Sequence, residues 1–113
     1  MHLIRQRIRE LRAPVGIFCY HDLLAFGILD LCSRSGIAVP EKAGVVGFDN
    51  LQYADYMGNR LTTIAYRYDL MAERAAELML TMLSEKTPIL HEDIYVHQAL
   101  IVRESTHLRR NSP

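Results

Sequence analysis

The chain has 113 residues, half of them apolar and 23% charged, which suits one globular domain with a modest core. Thirteen basic residues balance thirteen acidic ones, so the positive excess that phosphate contacts demand is missing, and DNA binding by this chain alone is not expected. Two cysteines, Cys19 and Cys32, lack a CxxC spacing and are expected as reduced, partly buried thiols of a cytoplasmic protein. No apolar run approaches a membrane span, and no signal-peptide pattern opens the chain.

In chain order, Leu3, Ile4, Ile8 and Leu11 form one stripe of a first helix. The basic residues between positions 5 and 12, interrupted by Glu10, then make its solvated face. The stripe begins at the very first residues, so an upstream segment is expected. Pro14 ends the pattern, and "VGIFCY" (15–20) predicts a buried strand. Asp22 is expected to cap the helix "LLAFGILDLCSRS", which closes at Gly36 in a left-handed turn. "GVVGF" (44–48) predicts a strand apolar on both faces, as in parallel sheets covered by helices. A short helix or turn over 51–57 and a strand over 61–66 follow. Met71, Ala75, Leu78, Met79 and Met82 recur at helical spacing over about 69–84. Pro88 marks a loop, and "DIYVHQALIVRE" a last extended segment before a polar tail. This alternation predicts an α/β layered fold.

Ligands of open parallel sheets bind beyond the carboxyl ends of the strands. Asp49 follows one predicted strand and His21 another, so both fall where a binding site is expected. A buried, unpaired carboxylate is costly, which puts Asp49 at a surface, in a cleft or against a partner. The alternative for Asp49 is a turn residue whose side chain bonds the backbone near Leu51 or Gln52. Tyr66, just past a strand, could stack on a sugar or base ring, whereas Phe48 reads as core filling. The helix after Asp22 is apolar nearly all round; Leu23 and Phe26, with Tyr53 and Met57, suit a subunit interface.

Other chemistries lack their residues. His21 and Asp22, beside Ser33, Ser35 or Cys19, invite a catalytic reading, but adjacent residues at a helix start point apart and no GxSxG elbow exists. The five histidines show no metal-ligand spacing, so no metal is expected. "GVVG" lacks the GxGxxG spacing of a dinucleotide turn, and no cofactor is implied.

The run "IFCYHDLLAFGILDLCSRSGIAVPEKAGVVGFDN" resembles the effector-binding core of the lactose-repressor/galactose-repressor family of bacterial transcription regulators. The resemblance is carried by Asp22, Ala25 with Gly27, Gly36 to Pro40 and Val45 to Asp49, then by "LTTI" (61–64) and "VREST" (102–106). It spans about residues 14–106. It implies a periplasmic-binding-protein-like (type I) fold, incomplete here: a parallel sheet flanked by helices, with the effector held between two lobes. Residues 14–66 and 92–106 would belong to the carboxy-terminal lobe and the helix over 69–85 to the other.

The resemblance assigns effector contact to Asp49, places His21 where the family has Asn, and brings Tyr66 and Tyr68 to the inter-lobe crossing. Ala72 stands where the family often has Gly. The implied function is effector sensing and dimerisation in a cytoplasmic regulator, without enzymatic activity. The effector would be a small molecule, a sugar before a purine. The partners would be a second copy of the chain and operator DNA, the latter only through a headpiece that this chain does not include. A secreted sugar-binding protein of a transport system is the alternative.

Overall fold

The computed structural model describes residues 2–56, 60–84 and 93–107. Met57, the predicted loop near Pro88 and His91, and the end of the tail lie outside the described residues. Contacts divide the chain into one unit of residues 1–65 with 100–113 and a second of residues 66–99.

The first unit is a sheet covered by helices. Helix α1 (His2–Glu10) contributes Ile8 to the core, while Leu3, Ile4 and Leu11 stay exposed. Strand β1 (Val15–Phe18) pairs in parallel with β2 (Ala43–Phe48), and β2 in parallel with β3 (Thr62–Ala65). The sheet order is β1-β2-β3-β4, with β4 at Ala99–Ile101. β2, apolar on both faces, is the central strand its sequence predicts, and its residues alternate between buried and half-buried. β1 departs from the expectation of a buried strand: it is an edge, with Gly16, Phe18 and the following Tyr20 exposed.

Helix α2 (Asp22–Arg34) packs Ala25, Ile28, Leu29 and Cys32 into the core. It ends as its sequence predicts. Gly36 sits at φ +65°, its N–H donates to Ser33 O, and the Ile37 N–H donates to Cys32 O. These bonds satisfy the last carbonyls of the helix.

The "VREST" tail closes the opposite end of the sheet. β2 and β3 begin their pairing at Val46 and Thr62; one residue earlier, the Val45 N–H donates to Ser105 O at 3.0 Å. Ser105 Oγ donates to Val45 O at 2.6 Å and accepts from Thr62 N at 2.8 Å. The Ser105 N–H donates to Arg60 O, and the Arg103 N–H to Thr62 Oγ1. This segment therefore runs antiparallel to the chain entering β3.

In the second unit, helix α3 (Tyr68–Ser84) buries none of its residues. Ile94 and Val96 line a shallow hollow with Met71, Ala75 and Leu78.

Candidate functional site

Three chain segments meet at the carboxyl ends of β1, β2 and β3, and Asp22 joins them. Asp22 is fully buried. Its Oδ1 accepts from Thr63 Oγ1 in β3 at 2.6 Å, and its Oδ2 accepts from the Leu51 N–H beyond β2 at 2.8 Å. To reach β3 from the end of β1, the carboxylate must cross β2. It does so over Gly47, whose register partner is Thr63, and a Cβ built on Gly47 would overlap Asp22 Oδ1. The last glycine of "GVVG" is thus clearance for a side chain, in keeping with a strand glycine marking close approach.

The helix cap predicted for Asp22 belongs to its neighbour. His21 is the N-cap of α2, with extended backbone, and its Nδ1 accepts the Leu24 N–H at 3.0 Å. Asp22 is drawn into the core by Thr63 and Leu51 instead, and so cannot turn back on its own helix. With Nδ1 accepting, the neutral imidazole carries its proton on Nε2, which leaves that nitrogen a donor. His21 is half-buried, and the Tyr20 ring meets it edge-on at 5.6 Å.

The connection after β2 is held tightly. Asp49 and Asn50 adopt φ of +114° and +52°, the non-glycine residues of the described chain with positive φ. Such conformations cost about 1–3 kcal/mol each and persist where surrounding bonds over-determine them. Here those bonds are visible. The Asp49 N–H donates to Ile64 O at 2.9 Å, and the Asn50 N–H to Thr63 Oγ1 at 3.3 Å. Arg103, 10% exposed, donates from Nη1 to Leu61 O, from Nη2 to Asn50 Oδ1, and pairs through Nε with Asp55 Oδ1 at 2.7 Å. The fixed fork of a guanidinium suits three such partners; a lysine would not reach them together.

The Asp49 side chain itself takes no hydrogen bond or ion pair among the described residues. The turn bond considered for it from sequence is not formed, because the Leu51 N–H goes to Asp22. Asp49 is half-buried at the tip of a rigid strand, an acceptor with open lone pairs. His21 and Asp49 thus stand at the same edge of the sheet, one offering a donor and the other acceptors.

Tyr66 and Tyr68 belong to the second unit, where both are exposed and their rings lie 5.2 Å apart with a 32° tilt. The Arg67 N–H between them donates to Gln98 Oε1 at 3.0 Å. Arg67 also pairs with Asp69, whose carboxyl its hydrogen bonds hold below the usual range. Of the expected interface residues, Leu23 is 65% and Tyr53 69% exposed, whereas Phe26 is half-buried against the core. Cys19 and Cys32 are buried free thiols. Burial pushes both up, and the Asp22 charge adds to the rise at Cys19. No group of three or more His, Cys, Asp or Glu that could hold a metal occurs among the described residues, and no described helix is long and apolar enough to cross a membrane.

Thr63, Asn50, Gly47 and Arg103 lie within the runs that carry the family resemblance, but the sequence assigns none of them its role here. The one local signal was Gly47, a glycine inside an apolar strand.

The profile of the periplasmic binding protein-like domain matches residues 1–106. The arabinose metabolism transcriptional repressor of Geobacillus stearothermophilus is 36% identical over 101 residues, covering 89% of this chain and 28% of the repressor. The HTH-type transcriptional repressor PurR of Salmonella paratyphi B is 32% identical over 104 residues, covering 92% of this chain and 30% of PurR. A LacI family transcriptional regulator from Arthrobacter sp. FB24, solved in complex with lactose, superposes with a TM-score of 0.76 at 30% identity, over 91% of this chain and 38% of that one. The chain spans less than a third of the length of these curated relatives. It belongs to the periplasmic binding protein-like domain family.

Proposed function

We propose that the chain senses a small polyhydroxylated effector, a sugar, within a regulator that transmits the signal to operator DNA through a separate headpiece. One observation carries this reading: a carboxylate without an intramolecular partner among the described residues, Asp49, is held at the carboxyl edge of a parallel sheet by backbone that is pinned on both sides. Two adjacent sugar hydroxyls can each donate to it, and charge-assisted bonds of this kind are stronger than neutral ones. The Nε2–H of His21 suits an acceptor oxygen on the same ligand. The arabinose-metabolism and lactose-bound relatives support a sugar. A purine base, donating from ring N–H groups, is the second reading, favoured by the similarity to PurR. Dimerisation through the face that carries Leu23 and Tyr53, and residence in the cytoplasm, belong to the same reading.

Calorimetry on the full-length regulator tests it, with L-arabinose, lactose, D-ribose and hypoxanthine as probes. Asp49→Asn keeps the side-chain shape but removes acceptor capacity, so affinity for the bound probe should fall about tenfold or more, equivalent to about 1.4 kcal/mol. Binding as tight as in the wild type would reduce Asp49 to a turn residue.

A further inference from the structure

We propose that Asp22 is a positioning residue for the Asp49 carboxylate, acting through a directed chain of hydrogen bonds and not through contact with the effector. The proposal rests on the reading of Asp49 as the effector's acceptor. Its geometry is independent of that reading.

Asp22 can only accept from its two partners, and this fixes the direction of everything bonded to it. Because Oδ1 accepts at 2.6 Å, the Thr63 hydroxyl must spend its one proton on Asp22. The lone pairs of Thr63 Oγ1 are then turned away, and one of them accepts the Asn50 N–H at 3.3 Å. Oδ2 meanwhile accepts the next amide, that of Leu51, at 2.8 Å. Two consecutive peptide N–H groups immediately after Asp49 are thus aimed inward by a single carboxylate. Residues 49 and 50 are the two non-glycine residues with positive φ among the described residues. Released from these bonds, a non-glycine residue at φ +114° relaxes toward negative φ, and the direction of the Asp49 side chain rotates with its Cα–Cβ bond. The site is therefore built from its far side. A fully buried carboxylate spends its lone pairs inside the protein, so that its half-buried counterpart can spend its own on a ligand.

Asn at position 22 would break the chain without emptying the space. Its one carbonyl oxygen can serve Leu51 or Thr63, but not both. If the amide nitrogen faces Thr63, it donates to Oγ1, whose own proton is then free to rotate, and the lone pair that serves the Asn50 N–H is no longer held in place. If the nitrogen faces Leu51, two donors oppose each other. Thr63→Val makes the same prediction for Asn50 alone and leaves Leu51 on Asp22. Thr63→Ser keeps the hydroxyl and is the conservative control.

Amide hydrogen exchange followed residue by residue by NMR, on the chain as it stands, is the first readout. In Asp22→Asn at least one of the Asn50 and Leu51 amides, according to which way the side-chain amide faces, should exchange about tenfold faster or more, while the β2 amides of Val45 and Val46 keep wild-type protection. In Thr63→Val only Asn50 should accelerate, and Thr63→Ser should restore it. A role in packing alone would lower protection across β2 and β3 together, and that result, or unchanged exchange at Asn50 and Leu51, would overturn the proposal. If Asp22→Asn does not fold, the Thr63 pair decides by the same criterion.

The second readout is calorimetry on the full-length regulator with the four probes named above. Asp22→Asn and Thr63→Val should each weaken binding about tenfold or more, with Thr63→Ser near wild type. If Asp49→Asn loses the probe and Asp22→Asn does not, the positioning role fails and the reading of Asp49 stands. If Asp49→Asn binds normally while the exchange pattern holds, the reading of Asp49 fails and the bond chain survives as a turn device.

Discussion

A methyl group on Gly47 would fill the space through which Asp22 reaches Thr63 and would press on Leu61 Cδ2 at 3.0 Å. Neither neighbour can give way cheaply, since Asp22 and Leu61 are both fully buried. Gly47→Ala should therefore cost about 1–3 kcal/mol, the usual range for overpacking. Gly16 is the control: a Cβ there meets nothing within 4 Å, and Gly16→Ala should be neutral or gain about 0.4–1 kcal/mol by restricting the unfolded chain. Urea unfolding midpoints of the two variants measure the difference, and coinciding midpoints would refute the account of Gly47. The same residues show what a sequence hides. That a buried carboxylate needs partners is sound physics, but it applies in full to Asp22 and only in part to the half-buried Asp49. The partners of Asp22 lie 29 and 41 residues away, where no local pattern can reveal them. His21 was equally opaque as a cap, because its imidazole does what Ser, Thr, Asp or Asn usually does.

Among the elements, those with strong local chemistry were legible and those defined by neighbours were not. β2 announces itself as a central strand by apolar residues on both faces, and α2 announces its end by Gly36. β1 has the same apolar composition as β2 yet forms an edge, and nothing in "VGIF" distinguishes the two cases. The "VREST" segment looks polar and loose, but Ser105 is fully buried and serves two strands at once. Ser105→Ala would leave the Val45 carbonyl without the serine donor and the Thr62 amide without its acceptor, at about 1–3 kcal/mol for each unsatisfied group. Thermal unfolding should show a lower midpoint for Ser105→Ala than for Thr81→Ala on the exposed face of α3. Equal shifts would mean that the hydroxyl of Ser105 contributes nothing particular.

At the scale of the whole molecule, two sets of exposed apolar side chains are candidates for contact with a second copy. One is on α3, where Met71, Leu78, Met79 and Met82 are all exposed; the other is Leu23 with Tyr53. Exposed apolar surface of this kind favours association. The chain should sediment at micromolar concentration as a dimer or larger species. Met79→Glu with Met82→Glu, and separately Leu23→Glu with Tyr53→Glu, should each shift it toward monomer if its face takes part; a sharp wild-type monomer would dismiss both. The α/β class and the family were legible because their motifs are contiguous, whereas an interrupted lobe, residues 14–66 with 92–106 around a helix over 69–85, was suggested by the resemblance alone, because no local pattern marks where an interrupted unit resumes. Residues 1–65 of the first unit are completed only by a segment from 100 onward, with the second unit between them. Val45 waits for Ser105, 60 positions later. On the ribosome, therefore, β2 and β3 emerge long before the serine that seals their entrance. Refolding must close the same long loop, whose entropy grows only slowly with its length, by about 0.6 kcal/mol per doubling. The second unit can therefore vary in length at little cost to the finished sheet, while a chain that stops short of its "VREST" segment would leave the ladder open at one end however well its strands had formed.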